Sequence, residues 1–126
     1  MAAGDLKGDE CVVITVTSGA AITAGQVVHL EADGYWYPCA DADTGKFGVA
    51  LDAASAAAET IRVCIWGRVE VTATAATIAK GECVMAGASG AIVASDYGAV
   101  GENVGTAMEA FPASGGTGTV WIGLVN

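Results

Sequence analysis

The phrase Ile22-Thr23-Ala24-Gly25-Gln26-Val27-Val28 returns 56 residues later as Ile78-Ala79-Lys80-Gly81-Glu82-Cys83-Val84. Each copy places an Ile three residues before a Gly, then follows the Gly with a polar residue and two apolar ones, the pattern of a turn feeding a half-buried strand. Asp33-Gly34 and Ser89-Gly90 stand at the same distance beyond the two phrase glycines. Further on, Gly48-Val49-Ala50-Leu51-Asp52-Ala53 aligns with Gly105-Thr106-Ala107-Met108-Glu109-Ala110 at an offset of 57, one residue having been gained. The closing stretches match as well: Ile61-Arg62-Val63-Cys64-Ile65-Trp66-Gly67-Arg68-Val69 lies over Gly118-Thr119-Val120-Trp121-Ile122-Gly123-Leu124-Val125 with one residue dropped near Trp66. The chain therefore reads as a duplicated β unit, with repeats over about 16–69 and 71–125. A duplication of this kind constrains the fold strongly and the chemistry hardly at all.

Strand signals fill both copies. Residues 11–17 alternate Val13, Thr15 and Thr17 against Val12, Ile14 and Val16, all suited to a pleated surface. Residues 26–30 form a strand, Ala32-Asp33-Gly34 a hairpin turn and residues 35–39 the return strand, with Pro38 assigning that strand to an edge. A strand follows over 47–51. Residues 53–59 are Ala-rich and helical by propensity, but their counterpart Phe111-Pro112-Ala113-Ser114-Gly115-Gly116 excludes a regular helix, so a loop with at most one helical turn is expected. Strands over 60–66 and 68–73 meet at Gly67 in an expected bulge or bend, and the second unit adds strands over 82–86, 91–95, 104–109 and 117–125. Short strands and frequent glycine, 18 residues in all, predict an all-β barrel or sandwich with little or no helix. Residues 1–10 have no period and read as a flexible N-terminal arm, leaving 11–126 as one domain.

Composition narrows the functional classes. Five basic against 14 acidic residues, a net charge of −9, disfavours binding to phosphate backbones. No apolar run is long enough to cross a bilayer and no secretory leader is visible, so the expectation is a chain made in the cytoplasm with no membrane partner. Cys11, Cys39, Cys64 and Cys83 are even in number, which would permit two disulfides, but with no secretory leader and no Cys-x-x-Cys pair they are expected to be buried free thiols.

Candidate chemistry is sparse. The one histidine, His29, occupies a strand position whose counterpart is Met85, which fits packing or surface better than catalysis. Asp41-Ala42-Asp43-Thr44-Gly45 resembles the opening of a calcium loop but lacks the distant bidentate acid, and reads as an acidic turn. The glycine-rich stretches 101–105 and 115–118 lack the Lys-Ser/Thr end of a phosphate loop and read as hairpin connections. No catalytic residue, metal site or cofactor is assigned. Tyr35-Trp36-Tyr37, on the expected edge strand, is the candidate contact surface, with Phe111 as a further contact residue. The same trio supports an alternative reading, a carbohydrate-binding or adhesive β module on a virion or cell surface.

The phrase Ile-x-Ala-Gly-Gln-Val-Val, the Gly-Val-Ala-Leu-Asp segment at 48–52 and the Val-x-Ile-x-Gly-x-Val close at 63–69 resemble the capsid decoration (cement) proteins of tailed bacteriophages, of β-tulip or β-clip type. The resemblance implies a non-enzymatic homotrimer, assembled in the host cytoplasm, seated on the capsid exterior and bound to the major capsid protein, where it stabilises the expanded head. It also implies a role for the arm, with Leu6, Lys7, Asp9 and Glu10 as its capsid-binding residues. An accessory β-clip domain of a sugar-acid enzyme is the remaining reading, and the chain has no partner domain or catalytic cluster to support it.

Overall fold

The structure is a computed structural model that describes Gly4 and residues 11–40, 46–73, 77–94, 103–112 and 116–123. Nine strands account for its regular structure: β1 (Val12–Thr17), β2 (Val27–Leu30), β3 (Trp36–Pro38), β4 (Phe47–Ala50), β5 (Thr60–Ala73), β6 (Cys83–Ala86), β7 (Ile92–Ala94), β8 (Asn103–Ala107) and β9 (Gly116–Ile122). A single 3₁₀ turn, Ala88–Gly90, is the only helical element among the described residues. No helix there is long and apolar enough to cross a membrane.

The strands form two rings that share β5. In the first, β1 pairs with residues 60–66 of β5, β5 with β4, β4 with β2 and β2 with β3, all antiparallel. A parallel bridge from Ser18 to Trp36, with Gly19 N–H donating to Trp36 O at 2.8 Å, completes that ring. In the second, residues 67–73 of β5 pair with β9, then β8, β6 and β7 follow, and a parallel pair from Ala73 to Ile92 closes it. Register agrees at most matched pairs, the exception being a shift between Val84 and Met85 in β6–β8 that β2–β4 lacks. Val28 faces Pro38 as Val84 faces Ala94, Leu30 faces Trp36 as Ala86 faces Ile92, and Ala50 faces Val63 as Ala107 faces Val120.

The organising phrases form the same turn in both rings. Gly25 (φ 92°) and Gly81 (φ 89°) occupy the left-handed region at the third turn position, where any other residue is strained. Gln26 N–H donates to Thr23 O and Glu82 N–H to Ala79 O, while the Gln26 and Glu82 side chains reach back to the N–H of Thr23 and Ala79. The polar residue after each glycine thereby caps its own turn. Gly25 N–H then donates to Ala50 O, and Gly81 N–H to Ala107 O, both at 2.8 Å.

Between residues 60 and 73 the expected pair of strands is a single strand of 14 residues. Gly67 sits inside it at φ 121°, and the irregularity lies just upstream, where β1 steps from Trp66 to Cys64 and passes over Ile65. The glycine therefore redirects a continuous strand from one ring into the next. Residues 53–59 hold no helix: buried Ser18 donates from Oγ to Ala56 O and accepts from the N–H of Glu59, and its carbonyl accepts from Ala58 N–H. These three bonds take up backbone groups that a helix would otherwise pair internally. Pro38 stands on β3, at the end of the sheet order, as an edge strand requires.

Each ring has its own interior. Ile22, Val28, Trp36, Ala50, Ala54, Ile61 and Val63 pack inside the first, with Ile14, Val16 and Ile65 against them. Ile78, Val84, Ile92, Ala107, Phe111 and Val120 fill the second, and this core extends to Val27, Cys39, Val49 and Cys64, which point outward from the first ring. The outer face of one barrel thus completes the core of the other.

Candidate functional site

The aromatic trio is split by strand alternation. Trp36 is 7% exposed and points into the first barrel, so the three rings do not form one platform. Tyr35 is exposed, and half-buried Tyr37 donates its hydroxyl to Asp33 Oδ2 at 2.6 Å. Asp33 also accepts from Tyr35 N–H through Oδ1. The tyrosine hydroxyl, and then this backbone bond, hold the Asp33 carboxyl below its ordinary range, and the carboxylate in turn pushes the Tyr37 phenol up to about 12. Phe111 is a correction: at 1% exposure it lies in the second barrel's core and offers no contact surface. A Cβ built on Gly118 would fall 2.7 Å from its ring, so the glycine is what admits it.

Leu6, Lys7, Asp9 and Glu10 lie outside the described residues, as does the acidic turn at 41–45. Gly4 is described. Its N–H donates to Glu70 O at 2.8 Å, and at φ 91° a Cβ there would sit 3.1 Å from Ala50 O and Gly25 N. Gly4 accordingly touches both β5 and the first organising turn.

Titratable groups are engaged singly or in pairs. Arg62 donates from its backbone N–H and Nε to Asp52 Oδ2 and from Nη2 to Asp52 Oδ1, a fork that lowers the Asp52 carboxyl and raises the guanidinium. The second unit keeps the backbone part, Thr119 N–H to Glu109 Oε2 at 2.9 Å. Ser55 donates to both oxygens of Glu59, whose carboxyl is lowered. Buried Glu70 accepts from Thr119 Oγ1 at 2.7 Å, and His29 Nε2 lies 3.2 Å from Glu31 Oε2. Among the described residues no three His, Cys, Asp or Glu side chains converge as metal ligands, and the four cysteines are thiols outside any disulfide, with Cys39 and Cys64 buried.

Two features escaped the sequence reading. One end of the first barrel holds a cavity of about 340 Å³ lined by Ile14, Leu30, Trp36, Lys46, Phe47 and Ile65. On the outer face of the second barrel, Trp66 and Trp121 meet edge to face with centroids 5.1 Å apart. A signal for the cavity was present in the repeat: Leu30, Trp36 and Phe47 stand where the second unit has the smaller Ala86, Ile92 and Val104.

Architecture and surface together define a rigid all-β double barrel whose notable features are apolar surfaces. The chain belongs to the phage cement protein family, whose model matches residues 6–123 and so spans both barrels. It is accordingly a virion-associated structural protein of the phage head. The fold is similar to the crystal structure of the head fiber gp8.5 N base in bacteriophage phi29, with a TM-score of 0.65 at 18% identity, covering 89% of this chain and 93% of that one. Among curated proteins none matches.

Proposed function

We propose that the protein decorates the exterior of a tailed-phage head as a homotrimer, bound to the major capsid protein and assembled with it in the host cytoplasm, without catalytic activity. The carrying observation is the family match across residues 6–123, which covers the double-barrel body from the arm to the last described residue. Supporting it, Asp33, Asp52 and Glu70 are each engaged by a local side-chain partner, and the body is closed by backbone pairing in both rings. A rigid body loses little conformational entropy on docking, and several copies convert weak contacts into firm attachment. The arm residues Leu6, Lys7, Asp9 and Glu10 are the proposed capsid contacts, and Tyr35 is the exposed aromatic beside them in the assignment.

Purified protein mixed with expanded heads and with unexpanded precursors tests the reading by co-sedimentation. The expected result is binding to expanded heads only, weakened by deletion of residues 2–9. A chain that sediments with neither particle overturns it.

A further inference from the structure

The junction between the two barrels identifies a pair of surfaces that are left without partners. Across the first barrel's outer face, Val27 pairs with Val49 and Val49 with Cys64, a row that crosses β2, β4 and β5. All three are fully buried because they join the second barrel's core. What they cover is one end of that barrel, where Val69, Ala86, Ile92, Val104 and Ile122 are at most 2% exposed. Polar contacts frame the same junction: Gly90 N–H donates to Cys39 O at 2.8 Å, and Gln26 Nε2 to Ser89 O at 2.9 Å.

Each half of this junction recurs once without its mate. The corresponding end of the first barrel is the 340 Å³ cavity, where Ile14, Phe47 and Ile65 are half-buried and Leu30 is 39% exposed. The corresponding outer row on the second barrel is Cys83, Thr106 and Trp121, again directly cross-strand, and all three are half-buried. Trp121, steadied by Trp66, stands where Cys64 stands in the covered row and supplies a large apolar knob opposite a large apolar hollow. Opposite charges flank the two surfaces, with Lys46 on the cavity rim and Glu82 beside Cys83.

We infer that the open end of the first barrel in one copy seats on the Cys83–Thr106–Trp121 face of the next, continuing between chains the contact that joins the two barrels within a chain. Such an interface is heterologous: each copy presents one hollow and one face, and a limited number of copies closes into a ring. The inference deepens the oligomeric reading above and rests on it for its role at the head. Its physical content is independent of the capsid.

Two substitutions at partly exposed positions separate the surfaces: Leu30→Asp spoils the hollow, and Thr106→Arg spoils the face. By light scattering the wild-type chain is expected to be a closed multiple of 12.4 kDa, and each variant alone a 12.4 kDa monomer. An equimolar mixture of the variants is expected to give a two-chain species and nothing larger, because one intact hollow meets one intact face. That outcome also demonstrates that both variants fold. A monomeric wild type, a variant that keeps the wild-type mass, or a mixture that stays monomeric overturns the inference. Head binding, followed separately by co-sedimentation, reports on the decoration role: its loss with the two-chain species intact sinks that role and leaves the interface standing.

Discussion

Gly118 and Phe111 share one volume: a Cβ on Gly118 would lie 2.7 Å from Phe111 Cε2 and Cζ. The first unit solves the same space the other way round, with Ala54 and Ile61 at the corresponding positions, 3% and 1% exposed. Gly118→Ile alone is expected to overpack the second barrel and cost about 1–3 kcal/mol. Phe111→Ala alone leaves a void and costs about 3–5 kcal/mol. The double variant reproduces the first unit's pairing, so it is expected to lose less than Phe111→Ala by itself. Urea unfolding of the four chains measures the coupling, and simple additivity would contradict a shared volume.

Asp52 binds Arg62 through both backbone and guanidinium, and Glu109 makes the matching bond to the backbone N–H of Thr119. The backbone bond is the part common to the two units. With side chains 59% and 37% exposed, the Arg62–Asp52 pair is screened by solvent, and Arg62→Ala is expected to leave the urea midpoint nearly unchanged. Asp52→Ala also removes the acceptor for the Arg62 N–H and is expected to cost about 1 kcal/mol. Because the folded carboxyl is held low, its contribution is present above the ordinary carboxylate range and is lost as pH falls through the lower folded value. Denaturation below about pH 4 should therefore be shallower in Asp52→Ala than in the parent.

The ladder of both units was legible from chemistry local to each strand: β-branched alternation, the glycine turns and the offsets of 56 and 57 residues. Gly67 was legible as the place of a bulge or bend, but not as a point inside one continuous strand that passes from one ring to the next at φ 121°. Phe111 was assigned as a contact residue, and the reason for its burial lies at Gly118, seven residues further on, where the absence of a side chain admits its ring. Trp36 followed the alternation, but which face of β3 looks inward depends on the Ser18 bridge, a contact between segments distant in sequence. The cavity depends on five separate strands, and only the size differences between repeats hint at it.

Tyr37 and Asp33 make a pH-dependent pair on the first hairpin. The Tyr37 phenol, pushed up to about 12 mainly by its bond to Asp33, favours the protonated form in the folded chain. Its contribution to stability is present below the ordinary phenol value of about 10 and disappears as pH rises through the folded value. Ultraviolet titration is expected to show a late tyrosine step from Tyr37. Tyr37→Phe should abolish that step, and Asp33→Asn should bring it back toward the ordinary range. An unchanged late step in Asp33→Asn would show that the carboxylate is not its cause.

Thiol reactivity reads the two outer rows directly. Cys64 lies in the covered row and is fully buried, and burial, with smaller effects from its neighbours, pushes its thiol up to about 11. At pH 8 such a thiol carries roughly two hundred-fold less thiolate than an ordinary one with a pKa of about 8.5, on top of its steric protection. Cys83 lies in the corresponding row of the second unit, at the place of Val27, and is only half-buried, as is Cys11. In the Leu30→Asp monomer, Cys11 and Cys83 are expected to react quickly with an aromatic disulfide reagent, while Cys39 and Cys64 wait for unfolding. In the assembled wild type, Cys83 is covered by the next copy and should join the slow class, leaving Cys11 as the fast thiol. Equal Cys83 rates in the two forms would mean that the second barrel's outer face stays open to solvent in the oligomer.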